Sequence, residues 1–241
     1  MTLDDILASL FPDGHDVRKD QGILLGSGQL RSGGRALVVG VADRTPVGVD
    51  EAIRLSRSVL DSIEQGSGPI LVIVDSDSQR MAKRDELLGL NEFLAHLAKC
   101  LIYADLHGRP TIGLLYGHSA AGAFLATALA TRALVALPGA DPVVTDLPSM
   151  SKVTKLPIEI LEEKAKSTPI FAPSLENLAR TGAVLATWDP ALPLAAQLEA
   201  LLDRTRGDTG DKRDALGKAR KGRLKAADIA ERVHDLALQS S

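Results

Sequence analysis

Three aliphatic runs constrain the fold before anything else in the chain does. GRALVVGV (34–41), PILVIVDS (69–76) and TIGLLY (111–116) are each of strand length, with a near-continuous apolar core rather than alternation. That pattern belongs to strands buried on both faces. Between them lie helical signals. Asp50 is placed to cap EAIRLSRSVLDSI, where Ile53, Val59 and Ile63 recur near helical spacing until Gly66 and Gly68 break the run. A long helix is predicted from about Asp85 to Leu106, with Leu90, Leu94, Leu97 and Leu101 on one stripe, Gly108 past its end and Pro110 after that. Parallel strands need crossover connections of a dozen or more residues, so buried strands alternating with helices imply an α/β architecture with a largely parallel sheet. Further strands are predicted at ALVALPG (133–139) and Ala183–Trp188. Helices are predicted over 157–166, 174–180, 192–202 and 226–238.

A chain of 241 residues with 45% hydrophobic and 24% charged residues can bury a sizeable core. The expected organisation is one domain over 1–202, a basic linker over 203–225 and a C-terminal helix over 226–241. The linker reading rests on charge and glycine. From Asp203 to Lys225 nine Lys or Arg face four Asp or Glu, in a chain of net charge −3, and Gly207, Gly210, Gly217 and Gly222 lie among them. Contact with an acidic partner is the competing use of that charge. Seven aromatic residues in the whole chain leave little for base stacking, so nucleic acid is not expected. The longest apolar runs are far short of the roughly 20 residues that span a bilayer, so no membrane span is expected. Asp4 and Asp5 stand where a secretory signal carries basic residues, and the one cysteine, Cys100, sits in a helical run as a packed thiol. Both features point to the cytoplasm.

The segment that carries chemistry is Leu114–Arg132, LLYGHSAAGAFLATALATR. A buried strand passes through Gly117 into a helix whose first turn has almost no side-chain bulk. Such a turn lets a ligand reach the unsatisfied N–H groups and positive end of a helix. Two chemistries compete for it. GHSAA resembles a serine nucleophile elbow, with Ser119 as nucleophile and Asp189 then His234 following in order, but Ala121 stands where the second glycine belongs. The alternative is an oxyanion hole for a thioester.

On that second reading, IGLLYGHSAAGAFLATALATRALVALPGA resembles the strand, glycine turn, small-residue helix and strand of the carboxyltransferase domains of acyl-coenzyme A carboxylases, in the crotonase superfamily. RDELLGLNEFLAHLAKCLIYADLHGRPTIGLLYG upstream and SLENLARTGAVLATWD downstream extend the likeness. Within the superfamily, residues 20–202 are most similar to the gamma-subunit family of biotin-independent malonate decarboxylases, on GHSAAGAFL, NEFLAHLAK and DLPSMSKVTKLPIEILEEKAKSTPIFAP. The resemblance implies a crotonase-like ββα spiral fold and a beta subunit as partner. It also implies an acyl carrier protein subunit, with its transferase subunit, whose prosthetic thiol carries the malonyl group. No cofactor on this chain is implied, and no metal is expected, because Asp75 and Asp77, though spaced as in some metal loops, have no His or Cys neighbour to complete a site. Gly117, His118, Ser119, Ala120, Ala121 and Gly122 become the expected catalytic segment, its amides holding an enolate oxygen. His118 is a candidate proton donor, and Ser119 either contacts the substrate carboxylate or caps the helix. Arg80, Lys83 and Arg84 are candidate contacts for phosphate on the carrier arm. The loop DSDSQRMAK (75–83) departs from the glycine-rich loop common in carboxyltransferases. A noncatalytic partner that completes a site on the sister subunit is the remaining alternative.

Overall fold

In a computed structural model, residues 1–66, 68–167, 169, 173–207 and 210–239 are described. Residues 168 and 170–172 of the segment behind the resemblance, 208–209 of the expected linker and 240–241 of the expected terminal helix lie outside them. The strands are β1 (Arg18–Asp20), β2 (Ile23–Gln29), β3 (Arg35–Val41), β4 (Ile70–Val74), β5 (Thr111–Leu115), β6 (His118–Ala120), β7 (Ala133–Ala136), β8 (Asp141–Val143) and β9 (Ala186–Thr187). Seven form one sheet in the order β1-β2-β3-β4-β5-β7-β9, and β6 pairs with β8 in a second, two-stranded sheet. The chain divides into two compact units, Met1–Val144 with Thr187–Thr209, and Thr145–Ala186 with Gly210–Ser241.

In the first unit β3, β4, β5 and β7 run parallel, while β1 and β2 join antiparallel at one side. The three aliphatic runs are the centre of this sheet, and every residue of β4 and β5 is buried. Register fixes where their loops meet. Val41 pairs with Val74, and Val74 with Leu115, so the three strands end level and release their following loops side by side. The helix Val49–Gln65 presents Ala52, Leu55, Ser56, Val59 and Ser62 inward, whereas Ile53 is exposed. Its cap is Gly48, whose amide donates to Glu51, and Asp50 lies in the first turn. The long helix predicted over 85–106 is two helices, Lys83–Leu87 and Leu90–Leu106, broken at Gly89, whose φ is 81°. The expected stripe Leu90, Leu94, Leu97 and Leu101 is buried, together with Cys100. Asp105 near its end holds the Arg132 guanidinium through both carboxylate oxygens, 2.7 Å from Nε on one side.

The second unit is helical: Leu147–Thr154, Ile158–Ser167, Leu175–Arg180, Arg213–Ala219 and Ala226–Gln239. The segment expected as a solvated linker is therefore built structure over much of its length. Arg220, in the middle of its charge run, donates to the carbonyls of Ala179, Val184 and Leu185 at 2.7, 2.7 and 2.8 Å. Two more of its basic residues are paired internally, Arg213 with Asp211 and Lys218 with Asp228. No helix among the described residues is long and apolar enough to cross a membrane.

Candidate active site

The three loops at the carboxyl ends of β3, β4 and β5 are laced together by one extended segment, Asp75–Arg80. On one edge, the Asp75 amide donates to the Val41 carbonyl (2.8 Å), Arg44 donates to the Asp75 carbonyl (3.1 Å), Val47 to that of Ser78 (3.2 Å) and Arg80 to that of Val47 (2.9 Å). On the other edge, Ser76 donates to the His118 carbonyl (2.8 Å) and Ala120 to the Asp77 carbonyl (3.4 Å). Side chains extend this second edge at both ends. The Asp75 carboxylate accepts the His118 amide and the Gln79 carboxamide oxygen accepts the Gly122 amide, each at 2.9 Å.

That lacing explains the residue types in the chemical segment. A Cβ on Gly117 would lie 2.3 Å from Asp75 Oδ1, so only glycine lets the chain pass. The helix expected from Gly117 onward begins later. His118–Ala120 is strand β6, paired residue by residue with Asp141–Val143, and the helix proper is only Ala121–Ala126, followed by a 3-10 turn over Ala128–Ala130. The Thr127 hydroxyl donates to the Ala123 carbonyl where the helix ends. Six residues make little macrodipole, so what this turn can offer an anion is individual amides. Ala121 is left-handed, with φ of 48°, an arrangement that costs on the order of 1 kcal/mol for a residue with a Cβ. It turns the chain so that the next amide, on Gly122, reaches the Gln79 oxygen rather than continuing the ladder. Gly122 is half-buried and without bulk of its own: a Cβ there would meet Gln79 Oε1 at 3.0 Å and Leu94 Cδ1 at 3.2 Å.

His118 and Ser119 separate cleanly. Successive strand residues point to opposite faces. The His118 ring is largely enclosed, with Nδ1 2.9 Å from Asp141 Oδ2 and Nε2 4.0 Å from Asp77 Oδ1. Ser119 faces the other way, is 0% exposed, and its hydroxyl has no hydrogen-bond partner among the described residues. Ser119 therefore does not cap the helix, whose N-cap position is Ala120, and a nucleophile sealed from solvent cannot meet an ester. Tyr116, at the tip of β5, has its phenol pushed well above the usual range by burial, then by the charges of Asp75 and Asp43.

The expected basic cluster is neutralised within the chain. Arg80 pairs with Glu51 and lies 3.7 Å from Asp85, and Arg84 bonds Asp50 at 2.7 Å and Asp85 at 3.1 Å. Hydrogen bonding to Arg84 holds the Asp50 carboxyl below its usual range. Lys83 is exposed. These pairs pin the segment after Gln79 to the start of the helix Val49–Gln65. Among the described residues, no group of three His, Cys, Asp or Glu side chains is placed to hold a metal ion. Asp141 and Gln79 are the two site residues that sequence reasoning did not single out. Only the turn PGAD hinted at the first, and nothing local marked the second.

A level row of parallel strand ends, a glycine turn, a left-handed residue and an amide turned out of the ladder define a crotonase-type chain of the carboxyltransferase kind. The likeness runs along nearly the whole molecule. A Pseudomonas malonate decarboxylase hetero-tetramer, solved in complex with coenzyme A, contains a chain that matches with a TM-score of 0.74 and 25% identity, covering 98% of this chain and 99% of that one. The MdcD–MdcE hetero-dimer of a Pseudomonas malonate decarboxylase matches with a TM-score of 0.72 at 22% identity, over 98% and 99% of the two chains. The fold is shared with transcarboxylase 12S, at a TM-score of 0.67 and 15% identity, over 83% of this chain and 39% of that one. A curated relative from Malonomonas rubra, the malonyl-S-ACP:biotin-protein carboxyltransferase MADD, is 30% identical over 148 residues, 57% of this chain. The chain spans about half the length of that relative, 51%. The family model of the malonate decarboxylase gamma subunit, MdcE, matches residues 42–237, and the chain belongs to that family.

Proposed function

We propose that this chain joins a beta subunit in the cytoplasm to decarboxylate a malonyl group held as a thioester on the prosthetic thiol of an acyl carrier protein, which a transferase subunit loads. The observation that carries the reading is the Gly122 amide, turned out of the ladder by left-handed Ala121 toward the Gln79 oxygen, in a chain of this family. Scission of the bond to the carboxylate releases carbon dioxide and leaves a thioester enolate. A fixed amide aimed at the enolate oxygen stabilises charge that develops in the transition state and is fullest in the enolate, and one such donor is worth roughly 100-fold or more in rate. The enolate carbon then takes a proton, giving acetyl carrier protein. His118 is the candidate to supply it, a reading supported by Asp141, which bonds its ring at Nδ1. The reading asks for no cofactor on this chain. Lys83 is the remaining candidate of the basic cluster for the carrier arm, since Arg80 and Arg84 are paired internally.

The test is carbon dioxide release from malonyl carrier protein, without biotin, by this chain, by the beta subunit and by the two together. Release only by the pair supports the proposal. Release by the beta subunit alone at the full rate makes this chain a noncatalytic partner, and esterase activity of this chain alone reinstates the hydrolase.

A further inference from the structure

We propose that the Gln79 side chain is an internal occupant of the substrate-oxygen site, which the thioester carbonyl must displace to reach the Gly122 amide. The proposal rests on the function set out above. Gln79 Oε1 lies 2.9 Å from the Gly122 nitrogen, the same kind of sp² oxygen at the same donor as the thioester carbonyl would offer. The position is also the closest approach to Gly122, since a Cβ there would meet this same atom at 3.0 Å. Substrate oxygen and Gln79 oxygen therefore cannot both bond that amide.

The structure also separates what is fixed from what can leave. The Gln79 backbone bridges to Val47, and its neighbours Ser78 and Arg80 are bonded to Val47 on the same edge. The carboxamide has little holding its other end: Nε2 is 3.9 Å from the sulfur of Met81, an exposed side chain. Rotation of the side chain would expose the amide and leave the loop in place. The thioester carbonyl displaces the carboxamide on binding, before charge develops, so the cost of displacement falls equally on the ground state and the transition state. Its effect belongs in KM and not in kcat.

The experiment uses the complex reconstituted with its partner subunits and malonyl carrier protein as substrate. Gln79→Met keeps length and bulk without the acceptor, and Gln79→Ala removes both. The expected result is a KM lowered roughly three- to tenfold in each variant, the weight of one neutral hydrogen bond, with kcat within about twofold of the unsubstituted complex. An unchanged or raised KM in Gln79→Met overturns the proposal, and a fall in Gln79→Ala alone assigns the effect to bulk and does the same. A large loss of kcat in an intact complex would make Gln79 a required donor, which also overturns it. If the unsubstituted complex releases no carbon dioxide, the function itself falls and this proposal with it.

Discussion

His118 Nδ1 lies 2.9 Å from Asp141 Oδ2, and the two residues are register partners in the short parallel ladder of β6 and β8. The pairing orients the ring through the backbone as well as through the side chains. An imidazole held at Nδ1 can exchange a proton only at Nε2. In the reconstituted complex, His118→Ala is expected to lower kcat by about 100-fold or more, in the range of a lost general acid. Asp141→Asn should cost about tenfold, with KM little changed in either. Steady-state kinetics of both variants check this, and an unaltered kcat in His118→Ala assigns the proton to another group.

Backbone and side-chain chemistry at the same turn are separated by two substitutions. Ser119→Ala should leave kcat within a few-fold, because the hydroxyl is sealed and unbonded. Gly122→Val should lower activity by about 100-fold or more, because its branched side chain enters the space held by Gln79 and Leu94. The reverse order of severity restores Ser119 as nucleophile.

Asp105 and Arg132 form a largely enclosed pair, with side chains 11% and 16% exposed, and Asp105 also accepts the Thr111 amide at 3.3 Å. Removing one partner leaves the other charge without its match. Asp105→Ala is expected to destabilise the chain by about 3 kcal/mol, measured by denaturant unfolding.

Tyr116 makes stability depend on alkaline pH. Its phenol is raised in the folded chain, so above the ordinary value of 10.0 the unfolded chain loses that proton while the folded chain keeps it. Stability attributable to Tyr116 is complete below that pH and declines as pH rises past it. Thermal unfolding between about pH 9 and 11 should fall more steeply for the native sequence than for Tyr116→Phe; parallel slopes would show that the phenol ionises equally in both states.

The central strands were legible because β4 and β5 are buried on both faces and so are apolar at every position, and the Leu90–Leu101 stripe because one helix face meets the sheet. Strand β6 was not legible. Its residues, His118, Ser119 and Ala120, carry no strand preference, and only pairing with Asp141–Val143, more than twenty positions on, makes them extended. Strand β2 was hidden by Gly26 and Gly28, which interrupt its apolar pattern. Among the site residues, Gly117 and Gly122 announced themselves through missing bulk. Gln79 did not, because the shape of its loop is imposed from both sides by the segments around Val47 and His118 rather than by its own residues.

The extended run Asp75–Arg80, bonded along both edges, has a consequence for how this loop can change. Its bonds to Val47 on one side and to His118 and Ala120 on the other fall at fixed positions, so one inserted or deleted residue between Asp75 and Gln79 would shift every later residue off its partner. Substitutions can alter the chemistry at this turn one side chain at a time. A change of length would displace the whole set at once, and the loop is held to a fixed count even where its composition is free.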